Sequence, residues 1–126
     1  MYSKIDSIEY FLPKKKNFFS INFKKIYSKT GILNTRICNK NHDVIDLAYR
    51  ACVKLKKKLI SVDAIIFVTQ TPRYLLPSCS CILQEKLKLK KNIYSVDLNM
   101  GCSGYIYGLS VADSIIRSGM GKTVLL

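Results

Sequence analysis

The feature that most constrains this chain is a charge-free run, residues 98–112, in a protein otherwise crowded with lysine. The 21 Lys and Arg against 8 Asp and Glu give a formal charge of +13, yet no charged side chain interrupts the run. Ile93-Tyr94-Ser95-Val96-Asp97-Leu98 ahead of it reads as a short buried strand. Residues 103–118 behind it read as a helix closed by Gly119 and Gly121. Ile106, Leu109, Ala112 and Ile116 recur on one side of that helix, and Tyr105, Gly108, Val111 and Ile115 on another. A helix apolar on most faces is expected to be central and buried.

Cys102 falls at the turn from strand to helix, in Asp97-Leu98-Asn99-Met100-Gly101-Cys102-Ser103-Gly104. Backbone N–H groups at a helix start lack intrahelical partners, and the dipole there favours negative charge. The thiolate is the reactive form of cysteine, so such a position suits a nucleophile. Gly101 and Gly104 leave room for a second molecule to approach the sulfur. Local chemistry also allows a buried structural cysteine, the commonest fate of a free thiol.

Upstream, residues 3–12 read as a first strand, ended by Pro13 and Lys14-Lys15-Lys16. Within residues 18–28, Phe23, Ile26 and Tyr27 can line a short helix that stops at Gly31. Residues 31–38 read as a strand or extended arm with Arg36 exposed. Asp43 is a good N-cap for a helix whose stripe is Val44, Leu47, Ala48, Ala51 and Leu55, with Lys54, Lys56, Lys57 and Lys58 in its last turns. Ala64-Ile65-Ile66-Phe67-Val68-Thr69 is a continuous apolar run, as in a strand buried on both faces. Residues 72–77 form a loop exposing Tyr74, Leu75 and Leu76. Residues 78–87 form a helix capped by Ser78, with Leu83 and Leu87 on one face. This alternation of strands and helices predicts an α/β layer with a mixed sheet.

Three stretches resemble ketoacyl-acyl carrier protein synthase III, a thiolase-fold condensing enzyme. The most specific is Gly-Cys-Ser-Gly-Tyr-Ile-Tyr-Gly-Leu-Ser-Val-Ala-Asp, which begins at Gly101 and is similar to that family's active-site segment. Lys29-Thr30-Gly31-Ile32 looks like its basic-Thr-Gly-Ile turn. Thr69-Gln70-Thr71-Pro72 with Leu75-Leu76-Pro77-Ser78 looks like the loop entering its second helix. The resemblance implies a thiolase-like fold and Cys102 as acyl nucleophile, its N–H serving as an oxyanion donor. It implies that Leu76 lines the acyl pocket of a dimer partner and that Lys29 binds substrate. The substrates implied are acyl carrier protein or coenzyme A thioesters. Lys25 stands where coenzyme A-binding members often carry tryptophan, and Lys29 where arginine is more usual; both departures favour a carrier-protein donor. The family's catalytic His and Asn come from a second half, and His42, ahead of the nucleophile, is not assigned that role.

On this reading, residues 1–126 are a single, incomplete N-terminal half-domain, because Lys122-Thr123-Val124-Leu125-Leu126 stops inside an apparent strand. The whole protein is then a homodimeric acyltransferase of fatty acid or related lipid or polyketide biosynthesis. The alternative is a truncated, catalytically silent half-domain that acts as an interaction module or is a non-functional fragment. An odd count of five cysteines with no signal-like N-terminus predicts reduced thiols in a cytoplasmic protein. No cofactor is expected. Cys79 and Cys81 are misspaced for zinc, and the one His lies elsewhere, so no metal is expected. The charge-free run is too short and too rich in Gly and Ser to span a membrane, so no membrane is expected. The basic charge attracts anions, but the scattered lysines form no nucleic-acid motif, and no nucleic acid is expected.

Overall fold

A computed structural model describes residues 2–18, 23–32 and 34–126, and no side chains of residues 15–18 and 23–26. The expected contacts of Phe23, Lys25 and Ile26 lie outside the described side chains, and residues 19–22 of the expected helical stretch lie outside the described residues. The element order is β1 (Lys15–Phe18), α1 (Phe23–Thr30), β2 (Asn34–Ile37), α2 (Val44–Cys52), a 3-10 segment (Val53–Ser61), β3 (Ala64–Val68), α3 (Cys79–Lys86), β4 (Tyr94–Leu98), a 3-10 turn (Gly101–Ser103), α4 (Gly104–Arg117) and β5 (Val124–Leu125).

The central sheet has strand order β4-β3-β5, and both pairings are parallel. The expected mixed sheet is corrected: the antiparallel pairing is β1 with β2, a separate two-stranded ladder. Residues 3–12 are not the expected strand either. They run exposed and are held by side chains: Ser3 Oγ donates to Asp113 Oδ1 at 2.5 Å, Lys58 meets Asp6 at 2.9 Å, and Lys54 Nζ donates to the Tyr10 carbonyl at 2.6 Å. No described strand runs beside them.

β3 supplies the core of both layers, as its unbroken apolar run predicts. Phe67 packs with Ile45, Cys52, Cys79 and Leu83 on the side of α2 and α3. Ala64 and Ile66 pack with Ile115 of α4 on the other side. Asp43 caps α2 as expected, in a box with Asp46: each side chain accepts from the other's N–H, at 2.9 and 3.2 Å. Of the expected stripe of Val44, Leu47, Ala48, Ala51 and Leu55, Val44 and Ala48 pack against this core, but the deepest positions of α2 are Ile45 and Cys52. The lysines also lie past the helix end, in the 3-10 segment, where Lys56 takes φ 52 and ψ −123. That left-handed geometry costs a non-glycine residue about 1 kcal/mol or more.

α4 is not the central, fully buried helix that its composition suggests. Gly104, Gly108, Val111, Ala112 and Ile115 turn toward the sheet, while Tyr105, Ile106 and Tyr107 are exposed, Ile106 at 66%. One layer of helix can bury only one of its sides. Val96, Leu98, Leu109 and Ile116 are half-buried. Asp63 ties β5 down: its Oδ2 accepts from the Lys122 N–H at 2.8 Å and the Thr123 N–H at 3.2 Å. These bonds hold its carboxyl below the ordinary 3.8, the Lys122 N–H contributing most.

Candidate active site

β4 ends at Leu98, and the chain turns at once into α4 through Gly101–Ser103. Gly101 has φ 58, a conformation that glycine takes without strain. Ser103 Oγ donates to the Met100 carbonyl at 3.0 Å, and the Gly104 N–H returns to the Gly101 carbonyl, so the turn is fixed by its own bonds. Cys102 occupies the middle of this turn and is exposed. It thus sits one residue short of Ser103, which precedes the first turn of α4, as the sequence predicts.

The two flanking glycines differ in purpose. A Cβ on Gly101 would meet nothing within 4 Å, so that side of the turn is open. A Cβ on Gly104 would stand 2.6 Å from Val68 Cγ1. Gly104 therefore lets α4 start against the end of β3; it packs and does not clear a path to the sulfur.

Leu76 lies in the loop between β3 and α3 and is 86% exposed, with Tyr74 and Leu75 also in solvent. Arg73 holds the front of this loop to the cap of α2, through Asp43 at 2.9 Å. Asp97, a residue read above only as part of a strand, holds the back. Its carboxylate accepts from the N–H of Cys79 at 2.6 Å and of Ser80 at 2.8 Å. An acid one residue from the end of β4 thereby caps α3 and links the Leu76 loop to the strand that carries Cys102. The one charge inside an otherwise uncharged strand was the available signal.

Lys29 is exposed in the last turn of α1, before Gly31 at φ 69. Among the described residues no hydrogen bond or ion pair joins it to Cys102 or Leu76. His42 stands in a loop, its Nε2 3.2 Å from Arg50 Nη2. The remaining thiols have other settings. Burial pushes Cys52 up to about 11 and raises Cys79 as well. Among the described residues no group of three or more His, Cys, Asp or Glu could hold a metal, and no helix is long and apolar enough to cross a membrane.

Solved structures define the class. A 3-oxoacyl-(acyl-carrier-protein) synthase III superposes with TM-score 0.81 at 34% identity, over 93% of this chain and 38% of its own. The synthase III of Thermus thermophilus gives 0.84 at 26%, over 97% and 41%. The fold is thus thiolase-like. The family described as 3-oxoacyl-[acyl-carrier-protein] synthase III matches residues 96–126, the span that holds Cys102 and α4. A β-ketoacyl-[acyl-carrier-protein] synthase III of Fusobacterium nucleatum is 39% identical over 97% of this chain and 40% of its own length. A putative 3-oxoacyl-[acyl-carrier-protein] synthase 3 of Campylobacter jejuni is 44% identical over 75% and 28%. The chain is therefore ketoacyl-acyl carrier protein synthase III-like, and it spans about 40% of the length of the Fusobacterium relative.

Proposed function

We propose that this chain is the nucleophile-bearing, N-terminal half-domain of a synthase III-type acyltransferase, and that Cys102 is its acyl nucleophile. The observation that carries this reading is the exposed Cys102 in a fixed strand-to-helix turn, inside the segment that matches the family. The Cys102 thiolate attacks the carbonyl of an acyl thioester. The carbonyl π electrons move onto oxygen, and the backbone N–H of Cys102 helps to hold that oxyanion. Collapse expels the donor thiolate and leaves the acyl group on Sγ. Malonyl-acyl carrier protein then loses carbon dioxide, and its carbanion attacks the acyl-enzyme, returning the Cys102 thiolate and a 3-oxoacyl product. The rest of the synthase supplies the groups for that second stage.

Leu76 lines the acyl pocket across a homodimer of the whole synthase, and Lys29 receives the donor, an acyl carrier protein in preference to coenzyme A. The protein works in the cytoplasm in fatty acid or related synthesis. Supporting these roles are the exposure of Leu76 in a loop anchored at both ends, and that of Lys29. The test is peptide-resolved mass spectrometry of the complete synthase after incubation with acyl-thioester donors. The expected result is one acyl adduct, on Cys102, lost in Cys102→Ala together with condensation. An adduct on Cys79 or Cys81 and none on Cys102 would overturn the assignment. No adduct at all would favour a silent interaction module.

A further inference from the structure

A second feature lies toward the opposite end of the strands. Cys102 follows the carboxyl end of β4. The far end of α3 returns to the amino end of β4, and the 3-10 segment returns to the amino end of β3. Between them is a cleft of about 370 Å³, lined by Tyr49, Val53, Lys56, Leu59, Lys86, Leu87 and Lys88. That volume is within the range of small-molecule sites, about 300–1,000 Å³.

Two of these lysines share a property found at no other non-glycine residue described: Lys56 at φ 52 and Lys88 at φ 54 are left-handed. Glycine or asparagine makes such turns more easily. Lys88 stands two residues past the end of α3, its N–H donating to the Glu85 carbonyl at 3.0 Å, a place where glycine is the usual choice. The Lys88 turn is that of a helix end, whereas Lys56 at φ 52 and ψ −123 closes no such cap, and strained positions of that kind cluster at ligand sites. Neither ammonium has an ion-pair partner among the described residues. The third lysine is already committed: Lys86 meets Asp46 at 2.5 Å and lies over the Tyr49 ring. Lys56 and Lys88 thus line the cleft together with the apolar Val53, Leu59 and Leu87.

We propose that this cleft binds an organic phosphate, with the phosphate between Lys56 and Lys88 and an apolar body on Val53, Leu59 and Leu87. Lysine suits the phosphate as a point charge on a flexible stem. The site is independent of Cys102 chemistry. The test is amide-shift titration of the 126-residue chain with phenyl phosphate, alongside inorganic phosphate and benzyl alcohol. Phenyl phosphate is expected to give saturable shifts at Lys56, Leu59, Leu87 and Lys88, more tightly than either fragment alone. Lys56→Gly and Lys88→Gly should each weaken it about tenfold or more while Tm rises, because glycine relieves the backbone as it removes the charge. Lys56→Gln and Lys88→Gln should weaken it without that rise. Lys4→Gln with Lys40→Gln, which removes as much charge elsewhere, should leave binding intact. Equal binding by wild type and the glycine variants, equal loss in the Lys4 and Lys40 control, or no saturable shift would each overturn the proposal.

Discussion

The two faces of the central sheet are covered differently. On one face α2 and α3 pack together, and Ile45, Cys52, Phe67, Cys79 and Leu83 form a core enclosed by both. On the other, α4 is the one helix among the described residues packed over Ala64 and Ile66, and its outer side carries Tyr105, Ile106 and Tyr107 in solvent. Yet α4 is the more uniformly apolar helix. Its composition exceeds what the sheet beneath it can bury, whereas no large apolar side chain of α2 or α3 is exposed. Apolarity in a sequence records a requirement for cover; it does not say which part of a chain, or which molecule, provides it.

The contrast can be broken most strongly from below. Ile66 is 1% exposed and touches the α4 layer, so Ile66→Ala should cost about 2–5 kcal/mol by denaturant unfolding. Asp97→Ala should follow at about 1–3 kcal/mol, since it strands two N–H donors at the buried start of α3. Its larger consequence should be loosening of the Leu76 loop, seen as faster amide exchange at Cys79 and Ser80. Asp63 offers a smaller, pH-dependent effect at β5. Its folded pKa is lowered, chiefly by the Lys122 N–H, so its contribution is present above the ordinary 3.8 and is lost as pH falls through the lower folded value. Thermal stability should therefore drop in acid, and Asp63→Asn should flatten part of that drop. Asp46, lowered chiefly by its hydrogen bond to Lys86, should account for another part. Smallest of all, Ile106→Ser on the outer face of α4 should change stability of this chain by no more than about 0.5 kcal/mol. A cost near that of Ile66→Ala would mean that the outer face is covered.

What was legible in the sequence was local. Asp43 and Ser78 announce their helices because a cap acts within three residues, and β3 is announced by its unbroken apolar run. The turn around Cys102 was legible for the same reason. The register of α2 was not, because Val44 and Ile45 are both apolar and either can lead the buried stripe. Residues 3–12 carry apolar residues enough for a strand, but a strand also needs a neighbour to pair with, and none of the described strands pairs with them. Asp97 was missed because its partners lie 17 and 18 residues away, beyond the reach of any spacing rule. The Lys56 and Lys88 turns carry no glycine to mark them.

The central claim is that Cys102, among five thiols, is the one presented for chemistry. It is tested most directly by site-resolved alkylation of the native 126-residue chain with iodoacetamide, followed by peptide mass spectrometry over time. Cys102 should be modified first, Cys52 and Cys79 only on unfolding, because burial both shields them and raises their pKa values. Exposed Cys81 is the internal control. Modification of Cys81 ahead of Cys102, or of Cys52 or Cys79 at a comparable rate in the native chain, would contradict the account.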